Sequence, residues 1–261
     1  FHCFHASCEQ KGNLRKLLKK IQGHDISDTF VDKKAFEEAK KRQQVFEDKE
    51  SYQSDIRLPP LKNDRYIGKD LYLRKRLKFS NTFTSLIKGL IYDVNKFIDI
   101  NNIAVGEKLF RIKDFLHSNF IGFLTEHNST VIMRNTDDSQ DFRFYKMIIQ
   151  ESNFLDYYKL KGNNPKSNTI VLAEGIFDIF GEHIFDTINI KDKVNLYASA
   201  LSSNYTALVK SIVFHEQIFR PDVIILSDRG IPKDKYHQLK KYNSHIINSL
   251  TVYYNRVGKD F

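Results

Sequence analysis

The feature that most constrains this chain is a rhythm in residues 167–261. Four short apolar runs recur there: Thr169-Ile170-Val171-Leu172-Ala173, Val194–Ala198, Val223-Ile224-Ile225-Leu226 and Leu250–Tyr254. They are continuous rather than alternating, as strands buried on both faces read. Longer amphipathic stretches separate them. One helix is expected from Ile176, a second shows the face Tyr205, Leu208, Val209, Ile212 and Val213, and a third starts at Pro232. Strands alternating with helices predict an α/β fold with a mostly parallel sheet covered on both faces. Ligands of such sheets sit at the carboxyl ends of the strands, where the chemistry is to be sought.

The upstream chain has a different texture. Residues 1–12 are dense in Cys, His and aromatics, and residues 13–23 read as a short basic helix stopped by Gly23. Residues 24–60 are mostly polar and read as a linker helix, capped by Asp32 and ended at Pro59-Pro60. Residues 61–166 form a mixed α+β block. Ile87, Leu90, Ile91, Val94, Phe97 and Ile98 keep a helical period. Phe120–Leu124, Val131–Arg134 and Phe142–Ile149 then read as strands, with polar turns at Glu126–Ser129 and Asp137–Asp141. A boundary falls in the loop Gly162-Asn163-Asn164-Pro165, so the four expected segments are 1–23, 24–60, 61–166 and 167–261.

Composition narrows the function. An apolar fraction of 41% supplies a core and excludes a disordered chain. No apolar run approaches the ~20 residues of a membrane span, and no signal peptide precedes the fold. The two Cys both fall in the first eight residues, which excludes a disulfide-stapled secreted scaffold and leads us to expect the cytoplasm, that of the host for a viral protein. The ends, Phe1 and Gly258-Lys259-Asp260-Phe261, read as cut from something longer. Lys and Arg number 41 against 32 Asp and Glu, a net charge of +9; the excess suits a polyanionic partner, nucleic acid above all. There is no phosphate-binding Gly-x-x-x-x-Gly-Lys-Ser/Thr loop, no Gly-x-Ser-x-Gly elbow and no His-Glu-x-x-His motif.

Three expected strand ends deliver acids to one edge. Glu174-Gly175 follows the first run, with Asp178 one helical turn on; Asp228 follows the third; Gly258-Lys259-Asp260 follows the fourth. Gly175 lets the backbone turn sharply beside a ligand. Carboxylates gathered this closely repel unless a cation offsets them, and Mg²⁺ takes carboxylates, water and phosphate oxygens. The pattern therefore fits a divalent-metal site that handles phosphates. The ordinary alternative is acids that are solvated or cap the following helices.

Leu172-Ala173-Glu174-Gly175-Ile176-Phe177-Asp178 resembles the first signature of the Toprim domain, shared by primases, topoisomerases and some nucleases. Val223–Asp228 resembles its second signature strand, and Tyr253–Asp260 the closing strand and lysine-aspartate step of phage primases. Phe1-His2-Cys3-Phe4-His5-Ala6-Ser7-Cys8 resembles the end of a primase zinc ribbon. Phe120–Phe123, Met133-Arg134 and Phe142–Lys146 resemble the strands that precede Toprim in such enzymes. The resemblance implies a Toprim domain preceded by a mixed α+β primase subdomain and a partial zinc ribbon. It implies a DNA primase that makes short RNA primers on single-stranded DNA from ribonucleoside triphosphates, with a replicative helicase as partner. Glu174, Asp178 and Asp228 would be catalytic and bind Mg²⁺ or Mn²⁺, joined by Asp260. Cys3 and Cys8 would be two of the four ligands of Zn²⁺, leaving that site incomplete in this chain. Arg134, Arg143, Lys146 and Lys259 would hold phosphates of template or nucleotide. One departure stands out: the family's second signature is Asp-x-Asp, and here it is Asp228-Arg229-Gly230.

Residues 57–80 add Arg57, Lys62, Arg65, Lys69, Arg74, Lys75, Arg76 and Lys78, interleaved with Tyr66, Tyr72 and Phe79. Cations with aromatics suit single-stranded nucleic acid; a solvated helix face fits the same residues. Two rival functions remain open on the sequence: a Toprim nuclease or topoisomerase-like enzyme, and a nucleic-acid-binding module that has lost its chemistry.

Overall fold

The structure is a computed structural model that describes residues 56–61, 66–78, 87–228 and 231–255. The zinc-ribbon segment with Cys3 and Cys8, the linker helix as far as residue 55, and the terminal Lys259 and Asp260 lie outside the described residues.

Two sheets share one helix between them. The first is antiparallel, in the order β1 (Leu90–Ile91), β2 (Phe120–Leu124), β3 (Thr130–Asn135), β4 (Phe144–Ile148). Helix α1 (Ile67–Leu77) precedes it, and α2 (Val94–Ile100) and α3 (Glu107–Asn119) lie between β1 and β2. The second sheet has the order β5-β7-β6-β8-β9, from β5 (Tyr158–Lys161), β6 (Thr169–Ala173), β7 (Val194–Ser199), β8 (Asp222–Ser227) and β9 (Ser249–Tyr254). Its helices are α4 (Ile176–Phe185), α5 (Tyr205–Glu216) and α6 (Lys233–Asn243). The pairs β6–β7, β6–β8 and β8–β9 are parallel, and only β5 runs against its neighbour β7. The expected mostly parallel, two-sided α/β sheet is present. Among the described residues no helix is long and apolar enough to cross a membrane.

Alternation along the parallel strands sorts their side chains onto two faces. Val171, Ala173, Val194, Tyr197 and Leu226 pack with Ile176, Phe177, Ile179 and Phe180 of α4. Ile170, Leu172, Leu196, Ala198, Val223 and Ile225 pack with Tyr205, Leu208, Val209 and Ile212 of α5 and with Tyr236 and Leu239 of α6. Ile176 to Glu182 of α4 are all buried. The reason is the first sheet, whose Ile121, Phe123 and Ile132 join the same core from the other side, with Leu73 and Leu77 of α1. A helix apolar all round needs cover all round. The opposite face of the first sheet, with Phe120, Val131, Met133 and Met147, is closed by Val94, Phe97 and Ile98 of α2 and Leu109 and Leu116 of α3.

The helical period expected from Ile87 to Ile98 is corrected at its start. Leu90 and Ile91 pair with Phe123 and Gly122 as a short strand, and the helix begins at Val94, where the Asp93 carboxylate accepts from the Lys96 amide at 2.9 Å. Gly89 forces the break. Its φ is +67°, and a Cβ there would come 2.9 Å from Leu124 Cβ. Strand β5 has no sequence signature beyond four residues of alternating character. It is secured by Asp156, whose buried carboxylate accepts from the Ser129 hydroxyl and amide at 2.7 and 2.9 Å, the Tyr157 amide at 2.8 Å, the His127 amide at 3.1 Å, and the Thr125 hydroxyl. That one side chain ties the β2–β3 turn to the entrance of the second sheet.

Candidate active site at the carboxyl edge of the parallel sheet

Chain order creates a crevice. From β6 the chain crosses through α4, on one face, to β7; from β8 it crosses through α6, on the opposite face, to β9. Neighbouring β6 and β8 thus send their connections apart, and such switch points leave a cleft at the carboxyl ends. Ala173 pairs with Leu226, so Glu174 and Asp228, just past the two strands, face that cleft from adjacent positions. The Ser199 hydroxyl at the end of β7 donates to the Glu174 carbonyl at 2.8 Å and pins its backbone.

Asp178 lies in the first turn of α4 and is 8% exposed. Its carboxylate folds back over Gly175, the residue that caps the helix: a Cβ on Gly175 would stand 2.5 Å from Asp178 Oδ2. The glycine is needed for the space its side chain leaves to that carboxylate. An acid in the first turn also complements the helix dipole, an ordinary stabilising role.

The field of the three acids meets at one phenol. Tyr205, the first residue of α5, is 3% exposed. Burial pushes its hydroxyl well above the usual phenol range, and Tyr236, Glu174, Asp178 and Asp228 each push it further. Tyr236 is raised by burial too, and Glu174 contributes there as well. The Tyr236 hydroxyl is 2.7 Å from the Ser227 hydroxyl at the end of β8. Tyr205 and Tyr236 pack with their ring centres 5.9 Å apart, and Tyr236 links the pair to Ser227. Sequence reasoning missed them; the one available signal is their placement, immediately after β7, at the end of β8 and on the helix that follows it.

All three acids offer hard oxygen donors, the class that Mg²⁺ and Mn²⁺ accept. The donor chemistry fits such an ion. Among the described residues no three His, Cys, Asp or Glu stand close enough together to hold one as placed, so the site is convergent in field and open in geometry.

The predicted cations part company. Lys146, on β4, reaches the second sheet: its Nζ donates to the Ala200 carbonyl at 3.3 Å, one residue past β7. Burial lowers its pKa, partly offset by Asp156. Arg143 lies in the turn just before β4 rather than on a strand, and is half-buried. Arg134 is buried within β3. Its guanidinium bonds the Asp138 carboxylate, its Nε donates to the Tyr72 hydroxyl at 3.2 Å, and it lies 4.5 Å from the centre of the Phe144 ring. Of the basic stretch 57–80, Lys69 is buried and donates to the carbonyls of Tyr92 and His117 at 2.6 and 2.5 Å, its pKa pushed down to about 8 chiefly by burial, with Asp93 opposing. Arg74 pairs with Asp70 at 2.5 Å, and Arg76 with Asp138 at 3.3 Å. Tyr66 is core and Tyr72 packs edge-on against Phe177. Within α1, Lys69 is buried rather than solvated, and Arg74 and Arg76 are engaged by carboxylates of the protein, while Lys75 is exposed.

Comparison of the chain with protein-family models, with curated proteins and with solved structures gives no match.

Proposed function

We propose that this chain is a metal-dependent primase of the Toprim type, joining ribonucleotides on a single-stranded DNA template. The observation that supports the reading is that Glu174 and Asp228 follow the neighbouring parallel strands β6 and β8 at their switch point, with Asp178 one helical turn beyond Glu174. Glu174 and Asp228, with Asp178 behind them and Asp260 following in sequence, are the residues that would hold Mg²⁺ or Mn²⁺. A divalent ion bound there would offset triphosphate charge and lower the cost of forming a 3′-alkoxide. Lys146 supplies a cation to the same edge, suited to a phosphate of nucleotide or template. Ser199 pins the Glu174 backbone, Gly175 leaves room for the Asp178 carboxylate, and α4, which carries Asp178, is packed between two sheets. Cys3 and Cys8 would be two of the ligands of a Zn²⁺ ion, and a replicative helicase would be the partner.

The topoisomerase-like form of the strand-cleaving rival needs a reachable tyrosine nucleophile; Tyr205 is buried, with its hydroxyl pushed above the usual phenol range, which speaks against Tyr205 in that role. The test is synthesis on single-stranded DNA with labelled ribonucleotides, with Mg²⁺ or Mn²⁺ and with chelator. Short metal-dependent products are expected, lost in Glu174→Gln and Asp228→Asn while template binding persists. Absence of product, or synthesis unchanged by both substitutions, overturns the reading.

A further inference from the structure

Strand β4 is an edge of the first sheet, with β3 its only strand neighbour among the described residues. Its Phe144, Lys146 and Ile148 share one face, the face of Ile132, which pairs with Lys146 and looks toward the second sheet. A solvated edge strand should carry polar residues there. Instead Phe144 is 40% exposed and Ile148 67% exposed. Between them Lys146 reaches across to Ala200 at the carboxyl edge of the second sheet. The exposed apolar pair therefore flanks the point where β4 reaches the end of β7.

Phe144 is also prepared on one side. The Arg134 guanidinium lies 4.5 Å from its ring centre and is itself held by Asp138 and Tyr72. That contact keeps the ring from collapsing inward and stabilises it as a cation–π pair. An anchored ring with exposed area, a flanking cation and a second apolar side chain two positions further on are the parts of a stacking platform for single-stranded nucleic acid. The net charge of +9 favours a polyanion over an apolar peptide at this edge. We propose that the Phe144–Lys146–Ile148 face of β4 binds single-stranded nucleic acid, a base on Phe144 and a phosphate on Lys146, and leads the strand to the acidic crevice. The direction of that path rests on the primase reading; the binding itself does not.

The test is fluorescence anisotropy with a labelled oligothymidylate, without divalent metal and over a series of salt concentrations, paired with primer synthesis by the same preparations. Phe144→Ala is expected to weaken binding by about tenfold, the loss of one stacked base, with the salt slope unchanged. Phe144→Tyr keeps the affinity, and Ile148→Ser loses less than Phe144→Ala. Lys146→Gln reduces the salt slope by about 0.7, one phosphate contact on a single strand. Should Phe144→Ala melt at a lower temperature than the parent, Phe144→Leu and Ile148→Ser carry the test, since neither empties the space over Arg134. Failure of the parent chain to bind the oligonucleotide overturns the proposal. So does unchanged affinity in the Phe144 and Ile148 variants, or a change only in self-association, which would make this edge a contact between copies of the chain. Phe144-dependent binding without primer synthesis overturns the primase reading and leaves the platform standing; synthesis with Phe144-independent binding does the reverse.

Discussion

Arg134 lies within β3, one residue before its end, and Glu174 one residue past the end of β6, and the fold places the two charges differently. Arg134 is covered, so its charge is matched within the protein by Asp138, the Tyr72 hydroxyl and the Phe144 ring. Lys69 on α1 is treated alike, spending its ammonium on two carbonyls. A buried charge without such partners would cost several kcal/mol. Glu174 and Asp228 stand just past the ends of β6 and β8, where the connections diverge.

The largest effect that would sharpen this contrast comes from a residue with no charge. In Gly175→Ala the new Cβ occupies a point 2.5 Å from Asp178 Oδ2, and the carboxylate must move. The backbone at Gly175 is extended, with φ −89° and ψ 142°, so alanine is not strained there and the fold should persist. A displacement of this size at a site that aligns reacting groups costs on the order of a hundredfold in rate. Primer synthesis should fall by about that factor, with the melting temperature nearly unchanged. Full activity would show that Asp178 is a helix-capping acid only.

The next effect is on stability. Arg134→Met removes the guanidinium from a partly exposed Asp138 and from the Phe144 ring. Breaking a buried pair costs about 3–5 kcal/mol, and the exposure of Asp138 brings the expectation down to about 2–3 kcal/mol. Urea denaturation should show that loss, while oligonucleotide affinity of the folded variant changes by less than about threefold. A variant as stable as its parent but weak in DNA binding would return Arg134 to the surface and break the comparison.

The parallel sheet was legible because its strands are buried on both faces and read as apolar runs, so Thr169–Ala173 and Val194–Ser199 appear nearly where expected. The acids were legible for the same reason: the end of such a run marks the carboxyl edge. The antiparallel half was read less well. Leu90 and Ile91 fit a helical period and a short strand equally, and only Gly89 and the Asp93 cap separate the two. Strand β5 was invisible because its place depends on Asp156 gathering a turn some 30 residues upstream and on pairing with β7, both non-local. The burial of Arg134 and Lys69 was equally hidden, since the partners that neutralise or accept from them belong to the tertiary fold.

A smaller effect tests the seam where the two sheets meet. His127, in the turn between β2 and β3, and His215, near the end of α5, place their ring centres 3.8 Å apart. Around them stand Phe154, Phe214, Tyr157, Asp156, Glu126, Glu216 and Lys159; the last pairs with Glu126 at 2.7 Å and Glu216 at 2.8 Å. Burial first and His127 second push His215 from its ordinary 6.5 to about 4, against the pull of Asp156 and Glu216. The folded chain thus binds the proton less readily than the unfolded chain. Stability contributed by the neutral ring is complete above pH 6.5 and is lost as pH falls toward 4, below which both states carry the proton. The shift would correspond to about 3 kcal/mol at full burial, and the half-exposed ring reduces this to about 1–2 kcal/mol. Urea midpoints at pH 7 and pH 4.5 should therefore converge in His215→Phe by that amount relative to the parent. Equal acid sensitivity in parent and variant would assign the whole effect to the carboxylates around the seam.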